Sequence, residues 1–384
     1  ETEMAGTEAD VAYVAGQAYA IRALCYLNLA TWFSRAPYNS LTGASRWNEP
    51  CVPVYTTGTS IDTGGQPRES LRTVYGRIDQ DIDRAIELLE KARETTLAEN
   101  NKSHINLYVA LGIKSRACLA EGDWDGAFKA AKRVIDEGGY AVGTKSDLTG
   151  GMNSLDKQNV MWGAGIQVAD QAGGYAGFFT HMDNKEGAYA KSAPKLISKQ
   201  LYNRISATDI RRDWWDPSDK ESPYVSKKFS FANVASFLGD YIYMRVEEMY
   251  FTAAEAALRL DDLKSARELM NTVMAERDPG YSANNRSGTL LGATTTTWTG
   301  SFLENILTHR RIELWGEYGR LFDVRRLGQG IDRRTDDGFS EECISMMNRR
   351  NVNITKADTY DWVLTIPKAE LDANPNINEE DQNP

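Results

Sequence analysis

The chain has 384 residues, 41% hydrophobic and 26% charged, a composition that excludes a disordered polypeptide and requires a buried core. Its formal net charge of −10 repels nucleic-acid backbones and anionic lipid surfaces, so no nucleic acid is expected as a partner. The four cysteines, Cys25, Cys51, Cys118 and Cys343, form no CxxC pair and are expected as buried free thiols, and no run approaches the ~18 apolar residues of a membrane span.

Val14, Ala18, Ile21, Cys25, Leu29 and Trp32 recur at steps of three and four, which predicts a helix from Val11 with that face buried and an end at Pro37. Glu1 stands almost inside this helix and no signal peptide opens the chain, so the natural N-terminus is expected upstream. The Thr/Gly/Ser/Pro stretch 56–67 predicts a loop. A second helix carries Leu71, Val74, Ile78, Ile82, Ala85, Leu89 and Ala92 inward, with Asp79, Asp81 and Asp83 on a solvated side. The DxDxD spacing there is not a calcium loop, because Ile82 and Arg84 occupy positions that need polar and glycine residues. No spacing in the chain argues for a metal, and no cofactor is expected.

Residues 116–135 and 255–274 echo one another: Leu119/Leu258, Asp123/Asp262, Ala127/Ala266 and Val134/Val273 coincide, and Trp124 matches Leu263 in kind. In each, a helix with small residues meets a tight polar turn and a second helix, as in a tetratricopeptide-like pair. The expected fold class is mainly α: one domain over 1–384, with helical pairs over 1–140 and 241–384 as the scaffold. Between them, residues 141–240 lose helical periodicity, gain glycine and aromatics, and show short strand-like runs such as 224–231. A loop-rich inserted region with a few short strands is expected, and loops held on rigid scaffolds are where binding residues gather.

Residues 303–325 read as one helix whose apolar stripe, Leu303, Leu307, Leu314, Tyr318 and Leu321, also takes in Arg310 and Glu317. Charges on an apolar face must be paired. The helix spacing offers Arg310 to Glu313 or Glu317 and Glu317 to Arg320, with Asp323 beside Arg326. Arg310, Glu313, Glu317, Arg320, Asp323 and Arg326 are therefore expected as structural ion pairs, since glycosidase carboxylates must face each other across a sugar and one helix face does not arrange that. No catalytic residue is expected. His104, His181 and His309 lie near no nucleophile motif, and no GxSxG, HExxH or phosphate-binding loop occurs.

The segment "RRIELWGEYGRLFDVRR" (310–326) resembles the charged helix of the SusD/RagB family, surface glycan-binding lipoproteins of the Bacteroidetes, at Arg310, Glu313, Leu314, Glu317, Arg320, Asp323 and Arg326. "IRALCYLNLATWFSRAPY" (21–38), "VYGRIDQDIDRAIELL" (74–89), "YMRVEEMYFTAAEA" (243–256) and "LTIPKAELDANPNINEEDQNP" (364–384) resemble further blocks of that family in the same order. The chain departs from the pattern at His309, where the family usually has Glu, at Tyr318, where it has Gly, and at Ser34 and Arg35, where a Gly is common. The resemblance implies a non-enzymatic protein on the outward face of the outer membrane, held by an N-terminal lipid anchor absent from this sequence. It implies as partners an oligosaccharide or polysaccharide and a SusC-like TonB-dependent transporter that takes it up.

Sugar capture calls for flat aromatic faces flanked by amide and acid groups. On that reading the loop aromatics Tyr38, Trp47, Tyr175, Trp214, Trp215 and Trp298 are the expected ligand-binding residues, with Asn48, Asp213 and Asp216 serving hydroxyls. Trp32, Trp124, Trp315 and Trp362 are expected in the core. The competing readings are a helical-repeat scaffold that holds another protein, a binder of a non-sugar nutrient such as a peptide, and, last, an α-helical polysaccharide hydrolase. Pro367, Pro375 and Pro384, with Asn374 before a proline, predict a closing coil wrapped over the helices.

Overall fold

The structure, a computed structural model, describes residues 5–60, 62–95, 97, 101–169, 176–284, 300–330 and 360–384. Long helices stack side by side: α1 (Glu8–Phe33) on α2 (Leu71–Lys91), α2 on α3 (Leu107–Glu121), α3 on α4 (Trp124–Glu137), α4 on α9 (Val246–Arg259) and α9 on α10 (Leu263–Ala275). Helix α11 (Phe302–Glu313) packs on α9 and is followed by α12 (Arg320–Arg326). Between α4 and α9 lie the short helices α5 (Lys145–Thr149), α6 (Phe178–Met182), α7 (Ala188–Ser192) and α8 (Lys199–Tyr202) with strands β1 (Val160–Ala164), β2 (Trp215–Asp216), β3 (Val225–Ser226) and β4 (Tyr241–Arg245). The chain is mainly α with a few short strands: β1 pairs antiparallel with β4 and β2 with β3. The strand-like run 224–231 yields only the two residues of β3.

The two echoing segments form α3–α4 and α9–α10, and their matching aspartates do the same work. Asp123 accepts from the Gly126 N–H and Asp262 from the Ser265 N–H, each at 3.0 Å, so each caps a second helix, a bond worth about 1 kcal/mol. Trp124, next in the chain, lies under the Arg259 guanidinium of α9 at 4.3 Å and meets the edge of Tyr38 at 6.2 Å. One hairpin is thereby tied to the other.

Helix α1 reverses an expectation. Its face Val14, Ala18, Ile21, Cys25 and Trp32 is exposed, with Val14 at 47%, Ile21 at 49% and Trp32 at 44%, and Leu29 only partly covered. What α1 buries is a face of small residues, Ala12, Gly16, Ala20, Ala23 and Ala30, with Tyr13 and Leu27. The reason is approach distance: a Cβ at Gly16 would sit 2.8 Å from Leu89 Cγ of α2, so only glycine lets the two helices close. The thiols divide accordingly: Cys51 and Cys118 are buried, Cys25 is exposed, and Cys343 lies outside the described residues. On α2 the middle aspartate is not solvated. Asp81 is buried and takes Arg22 of α1 in a two-pronged pair, Nε and Nη2 each at 2.7 Å, with Arg77 as a second partner.

Residues 141–240 build a second apolar core from Leu148, Phe179, Leu201, Trp214, Trp215 and Phe229, which reaches the scaffold through Ile312 of α11. The closing coil is pinned at the C-terminal end of α1: Asn383 donates to the carbonyls of Phe33 (2.9 Å) and Leu364 (2.8 Å), and Arg68 donates to the Asp381 carbonyl at 2.6 Å.

Candidate functional site

Segment 303–325 is not one helix. Gly316 (φ 75°) and Gly319 (φ 118°) take left-handed backbone that other residues rarely adopt, so α11 stops at Glu313 and the chain turns before Arg320. The ion pairs consequently run between elements and not along one helix face. Glu313 accepts from Arg211 (3.1 Å), Arg245 (3.1 Å) and Arg277 (3.0 Å), all of them without solvent exposure. Glu317 accepts from Arg245 at 2.7 Å and from the Lys228 ammonium at 2.5 Å. Arg310 reaches Asp323 (2.9 Å) and Glu248 (3.5 Å) in place of Glu313 or Glu317, and Arg326 joins Asp323 (2.8 Å) to Glu255 (2.7 Å). Arg320 does not take Glu317; it donates to Gln329 at 3.1 Å. Asp323 with Arg326 is the one expected pair that the described residues form.

The cluster is balanced around Glu313: Lys228, Arg211, Arg245 and Arg277 face Asp209, Glu247, Glu313 and Glu317. Burial disfavours ionised Glu313, yet the Arg277, Arg245 and Arg211 guanidiniums hold it well below the usual carboxylate range. Against the same burial, Arg326 and Arg259 hold Glu255 at about 2. Lys228 is pushed down to about 8 by its complete burial, with Glu317 opposing. Buried, paired and wall-to-wall with backbone, this cluster fixes the positions of α9, α11, α12 and β4.

The aromatic residues expected at the ligand divide in two. Trp214 and Trp215 are each 1% exposed and belong to the second core, so no sugar ring can stack on them. Trp214 donates to the Leu148 carbonyl at 2.8 Å and has the Lys228 ammonium 4.3 Å from its ring, while Trp215 stands edge-on between Trp214 and Trp315. Both are buried by the apolar residues of that core, beside Arg211, whose guanidinium is buried against Glu313. Trp47 is half-buried, edge-on to Tyr75 at 5.7 Å and under Arg72, and Tyr38 leans on Trp124; both anchor the loop after α1. Asn48 and Asp213 are exposed and Asp216 is half-buried. Tyr175 and Trp298 lie outside the described residues, and Trp32, expected in the core, is exposed.

The aromatic cavity that the structure does build centres on a tryptophan the sequence reading passed over. Trp162 on β1 and Tyr243 on β4 pack at 5.0 Å between ring centroids, with Tyr243 41% exposed, at a cavity of about 410 Å³. Phe178, Tyr241 and Tyr318 extend the aromatic wall, and Asn28 stands at it with its side-chain oxygen accepting from the Tyr318 hydroxyl at 3.1 Å. Arg116 stacks on Tyr318 at 4.0 Å and is locked by Glu248 at 2.7 Å. The available signal was "YIY" at 241–243, a period-2 aromatic pair on a strand. Such a site offers flat apolar faces with an amide at the edge, which suits the C–H face of a pyranose. The histidines serve elsewhere: His104 meets Tyr13 at 3.2 Å, His181 stacks on Tyr189 and His309 meets Arg211 at 2.8 Å. No cluster suited to hold a metal and no helix long and apolar enough to cross a membrane occurs among the described residues.

The fold is thus a helical stack with an ionic core and an aromatic cavity lined by the β1–β4 ribbon, α1, α3 and the turn 316–318, a shape suited to holding a ligand. The SusD family profile matches residues 183–384, more than half of the chain, and this protein belongs to the SusD family. Its fold is close to that of a SusD-like carbohydrate binding protein from Bacteroides vulgatus, with 27% identity, a TM-score of 0.77, and coverage of 98% of this chain and 79% of that one. A SusD superfamily protein from Bacteroides thetaiotaomicron matches with 21% identity and a TM-score of 0.77 over 100% of this chain and 80% of its own. Surface glycan-binding protein A from Bacteroides uniformis matches with 18% identity and a TM-score of 0.69 over 98% and 80%. No curated protein sequence matches the chain.

Proposed function

We propose that the protein captures oligosaccharides or polysaccharide at the cell surface, without chemistry, and delivers them to a SusC-like TonB-dependent transporter in the outer membrane. In this reading it is held on the outward face by an N-terminal lipid anchor. Family membership and the descriptions of the relatives from B. vulgatus and B. uniformis support the ligand class. The observation that carries the reading in this chain is the partly exposed Trp162–Tyr243 pair lining an aromatic cavity. Calorimetry and tryptophan fluorescence against a panel of plant and host oligosaccharides test it. Trp162→Ala and Tyr243→Ala should each weaken binding about tenfold, the size of one aromatic stack, with an unchanged circular dichroism spectrum. Absence of response to every glycan, or release of a cleaved product, would overturn it. A scaffold that holds another protein or a peptide draws its support from the uncovered α1 face of Val14, Ile21 and Trp32, and predicts a partner lost on Ile21→Asp and indifferent to Trp162→Ala.

A further inference from the structure

The segment that turns Trp214 and Trp215 inward turns its charged neighbours outward, around a second cavity of about 410 Å³. That size lies within the ~300–1,000 Å³ of ordinary ligand pockets. Three cations face it, Lys145, Arg212 and Lys227. Lys145 stands 3.4 Å from Asp213, an exposed pair, and Lys227 stands 3.8 Å from the half-buried Asp216. The third acid at the wall, Asp209, is engaged by Arg211 at 2.6 Å. Arg212 therefore has no carboxylate within ion-pair reach among the described residues.

Arg212 is also held in place. Its guanidinium stacks on the Tyr202 ring at 4.3 Å and its Nη1 donates to the Ile205 carbonyl at 2.8 Å. The stack and the bond fix the plane, and the Nε and Nη2 groups donate to nothing among the described residues. At the same wall the buried Nε1–H of Trp215 has no hydrogen-bond partner among the described residues. A planar fork oriented in advance matches a carboxylate in a two-pronged pair, which a lysine cannot reproduce. Flanking aspartates add acceptors for hydroxyls at the spacing of the same cavity.

We propose that this cavity is a subsite for a hexuronate unit, with Arg212 clamping the sugar carboxylate and Asp213 and Asp216 accepting its hydroxyls. The proposal rests on the glycan-capture reading and narrows it to acidic glycans. The chain as a whole carries −10, so the attraction is local and weakens with salt.

The test is calorimetry of the intact chain with galacturonate- and glucuronate-containing oligosaccharides, each beside its methyl ester and beside neutral oligosaccharides of equal length. The acid forms should bind about tenfold tighter than their esters, as expected of a charged hydrogen-bond pair. Arg212→Gln should erase that gap. Lys145→Gln, an exposed change that does not touch the fold, should narrow the gap two- to threefold through lost long-range attraction. Esters that bind as tightly as acids, a gap that survives in a folded Arg212→Gln variant, or binding confined to neutral glycans would overturn the subsite while leaving glycan capture standing. Failure of every glycan would overturn both.

Discussion

Neutralising Glu313 removes the centre of the ionic core and keeps its shape. In the native protein Oε2 accepts from Arg211 Nη1 (3.1 Å) and Arg277 Nε (3.0 Å), while Oε1 accepts from Arg245 Nη1 (3.1 Å) and Arg277 Nη2 (3.0 Å). In Glu313→Gln one of these oxygens becomes an amide nitrogen, and whichever it is, two guanidinium donors then face a donor. Two charged hydrogen bonds at about 1.5–3 kcal/mol each are lost. One unit of positive charge is left uncompensated in a site without solvent, which by itself costs about 3–5 kcal/mol. The two routes overlap, so about 3–5 kcal/mol is the expected loss, a large fraction of the ~5–15 kcal/mol that holds a typical domain folded. Urea unfolding followed by far-ultraviolet circular dichroism at pH 7 measures it. Lys129→Ala, which breaks an exposed pair with Asp125 on α4, should leave the midpoint unchanged. A loss below about 1 kcal/mol for Glu313→Gln would mean that the arginines reach water, and the cluster would not be what holds the helices in register.

Other substitutions and conditions follow from the same structure. Glu255 is held at about 2 when folded against an ordinary 4.5, so its stabilisation is complete above 4.5 and vanishes as the pH falls through 2; melts from pH 6 to pH 2 should show the decline, and Glu255→Gln should make it shallower, Glu313, Glu317 and Asp323 supplying the rest. Glu121 behaves oppositely: burial, with Asp79 and Asp123 beside it, pushes it up to about 9. Its stabilisation is complete below 4.5 and is lost as the pH rises towards 9, at up to about 1.4 kcal/mol per pH unit, a slope that Glu121→Gln should remove in pH-dependent urea titrations. Trp214→Ala should cost about 3–5 kcal/mol of stability through an emptied core site, and thermal melts should register it where glycan titrations of the folded fraction do not.

The helical scaffold and the hairpin turns were legible because caps and small-residue patterns are local. The face that α1 buries was not. A helix apolar on every side carries no moment to say which side faces in, so periodicity located the helix and misassigned its orientation. Burial went to the alanine and glycine face because close approach to α2 at Leu89 gains more contact than the larger Val14, Ile21 and Trp32 could offer across a wider gap. The charge density of 310–326 was visible in the sequence, but the partners were not: Arg211 and Glu313 are 102 positions apart, and Arg326 and Glu255 are 71 apart. Loop context also misled at Trp214 and Trp215, since a polar neighbourhood in sequence says nothing about the apolar residues from distant positions, Leu148, Phe229 and Ile312 among them, that join both rings in one core.

The ionic core and the aromatic cavity are one construction. Arg245, which bridges Glu313 and Glu317, is the last residue of β4, two positions after Tyr243, and Lys228 binds the carbonyls of Glu313 (2.7 Å) and Trp315 (2.8 Å) from the inserted region. Glu317 and Tyr318 then stand at the cavity wall itself. The glycine turn that breaks α11 from α12 thus brings carboxylates to the arginines and an aromatic ring to the cavity wall in a single step. Side chains that stack on a sugar contribute little individually, and they add only if they are already in position. A buried, neutral set of charges that fastens strand, turn and helix together supplies that order, which is why charge density high enough to resemble an active site underlies the aromatic cavity and meets it at its edge, through Glu317.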